Sequence, residues 1–148
     1  MPDQNDHPEP ARANPLVRQF VDTVDGQFET GIPTFAGLEK RVLMPYWRNL
    51  IIVRQLPDGD FLMVFFGSGV VAGFNRDLTG TKLSESLEGE VLERITEKNR
   101  RCLNDRSRIY SSGNMEWQHR DYTRWYQVKM PMERNGKIDE TVSFTVYD

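Results

Sequence analysis

Cysteine and histidine are scarce in this chain. Its 148 residues include one cysteine, Cys102, and two histidines, His7 and His119, which lie far apart in sequence. A single cysteine excludes an internal disulfide and a cysteine metal cluster. The sequence therefore predicts no metal site.

Long apolar runs and a surplus of positive charge are also missing. The longest apolar stretches, such as Phe61 to Phe66, are far shorter than the roughly 18 residues that a membrane span requires. The N-terminus lacks the basic start and apolar core of a signal peptide. The formal net charge is -3, which provides no basic field for nucleic acid. We therefore expect a cytoplasmic protein with no membrane and no general nucleic-acid partner.

The length fits one domain with one N-terminal tail. Residues 1 to 15 contain four prolines and almost no large apolar side chains, so they cannot bury enough surface to offset ordering entropy. The composition predicts a flexible tail there and an ordered domain over residues 16 to 148.

An amphipathic helix is predicted directly after this tail. Apolar residues recur at helical spacing, with Pro15 before them and Gly26 to end the helix. The apolar stripe must pack on a sheet or on another chain, because continuous exposed apolar surface is costly. The candidates for an interface on this helix are Leu16, Phe20, Val21 and Val24.

Strands and a long helix follow. The segments Asn49 to Gln55 and Phe61 to Phe66 are rich in strand-forming residues, and Pro57-Asp58-Gly59 supplies the turn of a hairpin. After short, glycine-punctuated pieces, apolar positions on one stripe predict a helix from about Glu88 to Asn104.

The last third of the chain predicts three strands: Ser107 to Trp117, Tyr122 to Met130, and Thr141 to Tyr147. The final strand alternates strictly between apolar and polar residues, as a half-buried strand does. Between the last two strands, Asn135-Gly136 is a strong signal for a tight hairpin, since both residues tolerate positive φ.

This order of elements resembles the PAS fold. The segments Leu56-Pro57-Asp58-Gly59-Asp60-Phe61 and Asn75-Arg76-Asp77-Leu78-Thr79-Gly80 are similar to a single-domain bacterial PAS family with a "GRDLTGRRL"-type segment. The resemblance implies an α+β domain: a five-stranded antiparallel sheet with short helices and one longer helix, preceded by the N-terminal amphipathic helix. It also implies an intracellular sensory or protein-interaction module that acts by binding, a signalling partner, and a homodimer through the N-terminal helix.

The resemblance names no cofactor, although it leaves room for a small-molecule ligand. Cys102 lies among arginines, but its position does not match the Asn-Cys-Arg order of flavin photoreceptors, so we interpret it as an inert core cysteine. His119 lies in a polar run, which disfavours a haem ligand. Periodicity gives the candidate residues for the lining of a cavity: Ile95, Cys102, Val142, Phe144 and Val146.

Aromatic residues cluster near the fourth strand: Trp117, Tyr122, Trp125 and Tyr126. We interpret the group mainly as packing within the sheet, and stacking on a planar ligand or on a partner surface is the alternative. Trp125 shares one strand face with Gln127 and Lys129, so we expect it to point outward as an interface anchor. No paired carboxylates or activated nucleophile are recognisable, which predicts a protein without catalysis.

Two other readings stay open. The first is a cone-shaped α+β ligand-binding protein or enzyme resembling the nuclear transport factor and ketosteroid isomerase group, with a general base in an apolar cavity. The second is an interaction domain with a filled core and no cavity.

Overall fold

The computed structural model describes residues 7–115 and 120–148. Within these ranges the chain is α+β, with several helices and a five-stranded antiparallel open sheet of order β2-β1-β5-β4-β3. The strands are β1 (Leu50–Gln55), β2 (Phe61–Phe66), β3 (Ile109–Met115), β4 (Arg120–Arg134) and β5 (Lys137–Tyr147). The α-helices are α1 (Pro8–Ala13), α2 (Pro15–Gln27), α3 (Phe35–Leu38), α4 (Ser68–Phe74), α5 (Leu83–Ser86) and α6 (Gly89–Asp105), and a 3₁₀ helix, Met44–Asn49, precedes β1.

The predicted fold class is confirmed at this level. The two predicted hairpins, β1 with β2 and β4 with β5, pair antiparallel. In the turn between β4 and β5, Asn135 has φ 54° and Gly136 has φ 80°. These positive φ values are the conformation that the Asn-Gly pair predicts for a tight hairpin. Strand β5 lies in the centre of the sheet because β1 pairs with its other edge.

Side chains alternate along the central strands, so the sheet presents two chemically different faces. One face, here called the outer face, consists of Leu50, Ile52, Val128, Met130, Val142, Phe144 and Val146. The opposite face, here called the inner face, consists of Ile51, Val53, Ile109, Ser111, Trp125, Gln127, Lys129, Thr141, Ser143, Thr145 and Tyr147.

The N-terminal helix α2 covers the outer face. Val17, Phe20 and Val24 on this helix are all 0% exposed and belong to the same core cluster as the outer-face side chains. The Phe20 ring stacks on Phe144 with centroids 4.7 Å apart and an interplanar angle of 9°. Most of the apolar stripe of the helix is therefore buried within the chain, whereas Leu16 is 54% exposed.

The prediction of a flexible tail through residue 15 is wrong for its second half. Residues 8–13 form helix α1, whose Ala11 is fully buried. The backbone N–H of His7 donates to the carbonyl of Ser112 at 3.3 Å, and the Ser112 hydroxyl donates to the carbonyl of His7 at 2.6 Å. These bonds attach the segment to edge strand β3, a long-range contact that composition does not reveal.

Short helices cover part of the inner face. Apolar side chains of β1 and β2 pack with residues from α4 to α6, and this second core cluster contains Val53, Phe61, Met63, Phe66, Val70, Leu78, Leu83 and Leu103. Helix α6 crosses β4 and β5. Among the described residues, no helix combines the length and the apolar character needed to cross a membrane.

Candidate functional site

A cavity of about 320 Å³ lies between the inner face of the sheet and helices α4 and α6. This volume is within the range of roughly 300–1,000 Å³ that is usual for small-molecule sites. Its apolar side is built by the second core cluster and by the facing sides of the helices, through Met63, Phe66, Val70, Phe74, Leu78, Leu87, Val91 and Ile95. This side resembles an ordinary hydrophobic interior.

The other side of the cavity is polar and belongs to β3, β4 and β5. Ser111, Gln127 and Thr145 line it and occupy paired positions on the three strands. The side-chain amide of Gln127 donates to the Thr145 hydroxyl at 2.8 Å. The polar side chains of these alternating strands therefore face the cavity, and their apolar side chains face α2.

Lys129 is the central charged group of this polar side. It is 5% exposed and sits on β4 between Ile109 of β3 and Ser143 of β5. Its Nζ donates to Asn99 Oδ1 at 3.2 Å and to Ser143 Oγ at 3.0 Å. Both acceptors are neutral, and no carboxylate pairs with this ammonium group within the described ranges. An ammonium has three donors, so these two bonds leave one donor without a partner among the described residues.

Asn99 of α6 fixes the position of these groups. It is fully buried, its Nδ2 donates to the carbonyl of Ile95 at 2.9 Å, and its Oδ1 also accepts from the Thr141 hydroxyl at 2.6 Å. One amide thus ties the long helix to both central strands. This bonding pattern requires Oδ1 to face the sheet, since Lys129 and Thr141 donate to it.

Burial sets the protonation of the groups near the cavity. Loss of solvation is the main reason that the pKa of Lys129 is lowered to about 8; Cys102 opposes this shift and the neighbouring Lys98 adds to it. Burial likewise raises the pKa of Cys102 to about 11, so its thiol stays protonated near neutral pH. Both shifts have the sign that low-dielectric surroundings impose, since they disfavour the charged form of each group.

Tyr147 closes one end of the cavity against α4. A β-carbon at Gly73 would lie 2.3 Å from Cε2 of the Tyr147 ring, so only glycine permits this approach of helix and strand. Burial raises the pKa of Tyr147 to about 12, which keeps its phenol protonated. Beside it, the Trp125 indole donates to the carbonyl of Asn114 at 3.1 Å. Both rings line the cavity.

Charged side chains stand where α4 and α6 approach the opening. Arg76 and Glu88 are exposed and Arg94 is half-buried, and all three line the cavity. Together with the buried Lys98 and Lys129 they make four cations and one carboxylate in the lining. The sign of this charge is opposite to the net charge of -3 of the chain.

The lining predicted from periodicity is wrong for the last strand, and of the two predicted helix residues one lies at this cavity. Ile95 lines the cavity, whereas Cys102 is buried outside the lining. Val142, Phe144 and Val146 lie on the outer face beneath α2. The prediction assumed that the apolar side of the strand faces the cavity. In the structure, helix α2 covers the apolar side of the strand as a second apolar layer.

The predicted interface residues are also redistributed. Trp125 points into the cavity with Gln127 and Lys129, so their shared face was predicted correctly but its direction was wrong. Phe20 and Val24 are fully buried in their own chain. On the same helix, Leu16 is 54% exposed and Val21 is half-buried, so these two remain as interface candidates.

The most informative residues of the cavity were missed from sequence. Lys129 stands between Val128 and Met130 in a strand buried on both sides, and a lysine at such a position was the available signal. Asn99 had no comparable signal, because an asparagine on a polar helix is ordinary. Trp117 and His119 lie outside the described residues.

Comparisons of the chain with protein-family models, with curated proteins and with solved structures found no match. In the part of the chain that the structure describes, no group of three or more His, Cys, Asp or Glu side chains is arranged to hold a metal ion. The cavity and its chemistry are therefore the basis for a functional assignment.

Proposed function

We propose that this protein is a PAS-like sensory or adaptor module that binds a small molecule in the cavity between α6 and the sheet and acts without catalysis. The observation that carries this proposal is the cavity itself, which is apolar on one side and holds a few fixed polar groups on the other. Such a combination is the usual composition of a small-molecule site. The strand order and the hairpin before the long helix support the PAS-like assignment.

The cavity favours ligand binding over an interaction domain with a filled core. Protein interiors are close-packed, and apolar side chains lose contacts when a space next to them stays empty. A volume of about 320 Å³ beside Met63, Phe66 and Val70 is much larger than an ordinary packing defect. A ligand would restore those contacts and offset the cost of the space.

The same lining disfavours an isomerase-like enzyme. A general base of that kind is a carboxylate held in an apolar pocket. Among the described lining residues the only carboxylate is Glu88, and it is exposed next to the opening. Besides Glu88, the titratable side chains of the described lining are Arg76, Arg94, Lys98, Lys129 and Tyr147, and none of them is a carboxylate.

Helix α6 is the element through which occupancy would reach a partner. Val91, Ile95 and Asn99 line the cavity, while Glu93 and Glu97 on the same helix face solvent. A ligand changes the population of a conformation only by binding one arrangement better than another. Expansion or closure of the cavity would shift α6 relative to β4 and β5 and so alter its solvent-facing side, where a signalling protein in the cytoplasm would bind.

Binding to the cavity is tested with a neutral apolar dye, N-phenyl-1-naphthylamine, whose fluorescence rises in apolar sites. We expect saturable binding at one site by the wild-type chain. In Ile95→Trp the larger ring fills the space, and the affinity should fall at least tenfold. Val42→Trp is the control, because Val42 is 47% exposed and lies outside the cavity. Absence of saturable binding, or equal binding by Ile95→Trp, would contradict the proposal.

A homodimer through α2 stays part of the proposal with a smaller interface. Leu16 is exposed, whereas Phe20 packs on Phe144, so an acidic substitution at Phe20 would unfold the domain instead of testing the interface. Leu16→Asp is the informative variant. Sedimentation equilibrium should show a weaker dimer for it than for the wild-type chain, and an unchanged dimer would exclude this helix as the interface.

A further inference from the structure

The two sides of the cavity differ in polarity, and this polarity changes along a row of side chains across the sheet. Lys129 lies in one row across the sheet with Ser143 and Ile109, and the row continues through Ile51 to Phe66 on the opposite side. Of this row, Lys129, Ile51 and Phe66 line the cavity, so a molecule lying along it would meet a cation at one end and hydrocarbon and aromatic groups at the other. The row is therefore amphipathic along its length.

The ammonium of Lys129 has no ionic partner within the described ranges. Moving a charge into a protein interior is costly, and buried charges are normally paired or neutralised. Here a second cation, the buried Lys98, lies close enough to lower the pKa of Lys129, and the nearest acceptors are an amide and a hydroxyl. An anion bound beside Lys129 would supply the missing charge and accept its remaining N–H.

We infer that the ligand of this cavity is a small monocarboxylate with an apolar body, bound with its carboxylate at Lys129 and its apolar part against Met63, Phe66 and Val70. The inference rests on the proposed function, since it assumes that the cavity takes a ligand. A carboxylate matches the remaining donor of Lys129, and the apolar body matches the hydrocarbon side. A dicarboxylate with its two charges at opposite ends does not fit as well, because the second carboxylate would lie against the apolar wall.

The positive lining adds to this preference. The exposed Arg76 and the half-buried Arg94 line the same cavity as Lys129. A chain with net charge -3 repels anions at long range, so a locally positive opening favours their entry here over other surfaces. Near pH 7 a buried amine with a pKa of about 8 is still mostly protonated, and a carboxylate beside it would raise that pKa.

Isothermal titration calorimetry with three probes of equal chain length tests the inference: octanoate, 1-octanol and octylammonium, each with the full chain at pH 7. We expect octanoate to bind at least about tenfold more tightly than 1-octanol, because a hydrogen bond to a charged group is worth that factor or more. Octylammonium should bind most weakly of the three.

Variants assign the preference to Lys129. Lys129→Met should reduce the affinity for octanoate to that for 1-octanol and leave 1-octanol unchanged. Lys40→Met removes the same charge from an exposed position and should have no effect. Circular dichroism checks the fold of each variant. The ratio of octanoate to 1-octanol affinity in the wild-type chain tests the inference without any variant.

The outcomes separate the two levels of the argument. Equal binding of octanoate and 1-octanol, or octanoate binding that Lys129→Met leaves unchanged, would overturn the carboxylate assignment while the cavity stays a ligand site. If neither probe binds and the neutral dye also fails to bind, the carboxylate assignment and the proposed function are both wrong. Dye binding without octanoate binding overturns the carboxylate assignment alone.

Discussion

The two faces of the sheet are formed by the same strands but differ in packing: one is covered by a helix and the other borders a cavity. On the outer face, Phe144 and its neighbours are covered by α2 with almost no exposed surface, and contacts such as the ring pair Phe20–Phe144 fill the layer. On the inner face, Lys129 borders an open space of about 320 Å³ and forms a hydrogen bond with Ser143 in place of apolar contacts. One face stabilises the fold and the other keeps a space available.

The difference teaches where stability and function are separated in this domain. A packed apolar face contributes free energy roughly in proportion to the area removed from water. Around a cavity, by contrast, buried polar groups and lost contacts cost free energy unless a ligand compensates them. Substitutions on the outer face should therefore affect stability, whereas those on the inner face should affect binding and pH dependence.

The largest effect is expected for Phe20→Ala. This change removes a fully buried ring that stacks on Phe144, so it should lower the free energy of unfolding by about 3–5 kcal/mol. Urea unfolding followed by circular dichroism measures it. The control is Val42→Ala, an exposed apolar side chain that should change stability by less than about 0.5 kcal/mol. A small loss at Phe20 would show that α2 contributes little to the outer face.

The second prediction concerns the buried charge on the inner face. The pKa of Lys129 is about 8 in the folded chain and near its ordinary value of 10.5 in the unfolded chain. Between these pKa values the unfolded chain binds one more proton than the folded chain, so the free energy of unfolding rises with pH over this window. Below about pH 8 the folded chain has the full cost of the buried ammonium. The expected size is on the order of 3 kcal/mol.

Lys129→Met provides the reference for this measurement. Urea unfolding of both chains at pH 7 and pH 10 gives the difference in their free energies of unfolding, and other titrating groups largely cancel in that difference. As the pH rises, the free energy of unfolding of the wild-type chain should increase relative to that of Lys129→Met. If the difference in the free energy of unfolding stays constant with pH, Lys129 is not a buried charged group. The two faces of the sheet would then differ less in their electrostatic environment.

The third prediction is the smallest and concerns the close approach of α4 to β5. Gly73→Ala should cost about 1–3 kcal/mol, because the added methyl group overlaps the Tyr147 ring. In a Tyr147→Ala background the overlap is gone, and the same substitution should stabilise by roughly 1 kcal/mol through helix propensity. Thermal or urea unfolding of the four chains gives the coupling. Additive effects would show that the ring does not restrict this position.

Much of the local structure was predictable because it depends on neighbours in sequence. The Asn135-Gly136 turn follows from two residues that accept positive φ, and α6 follows from its apolar stripe, predicted from Glu88 to Asn104 and observed from Gly89 to Asp105. The alternation of Val142, Phe144 and Val146 predicted a strand with two unlike faces. These features need only short-range conformational preferences and the period of each element.

The site was less predictable because it depends on which layer covers which face. Alternation shows that Trp125, Gln127 and Lys129 share a side, but it does not show whether solvent, a helix or a cavity lies there. The expectation that the polar side points outward failed because α2 took the apolar side. Asn99 and Lys129, 30 positions apart, meet only when α6 crosses β4.

The sequence by itself determined the elements, their order and the chemical character of each strand face, since those properties are carried by residues within a few positions of one another. Tertiary structure alone decided that the polar face of β4 and β5 borders a cavity, that α1 and α2 close the apolar face, and that Lys129 is buried beside Asn99 and Ser143. The reason is physical: burial and electrostatic environment depend on all the layers that surround a group, and those layers come from distant parts of the chain.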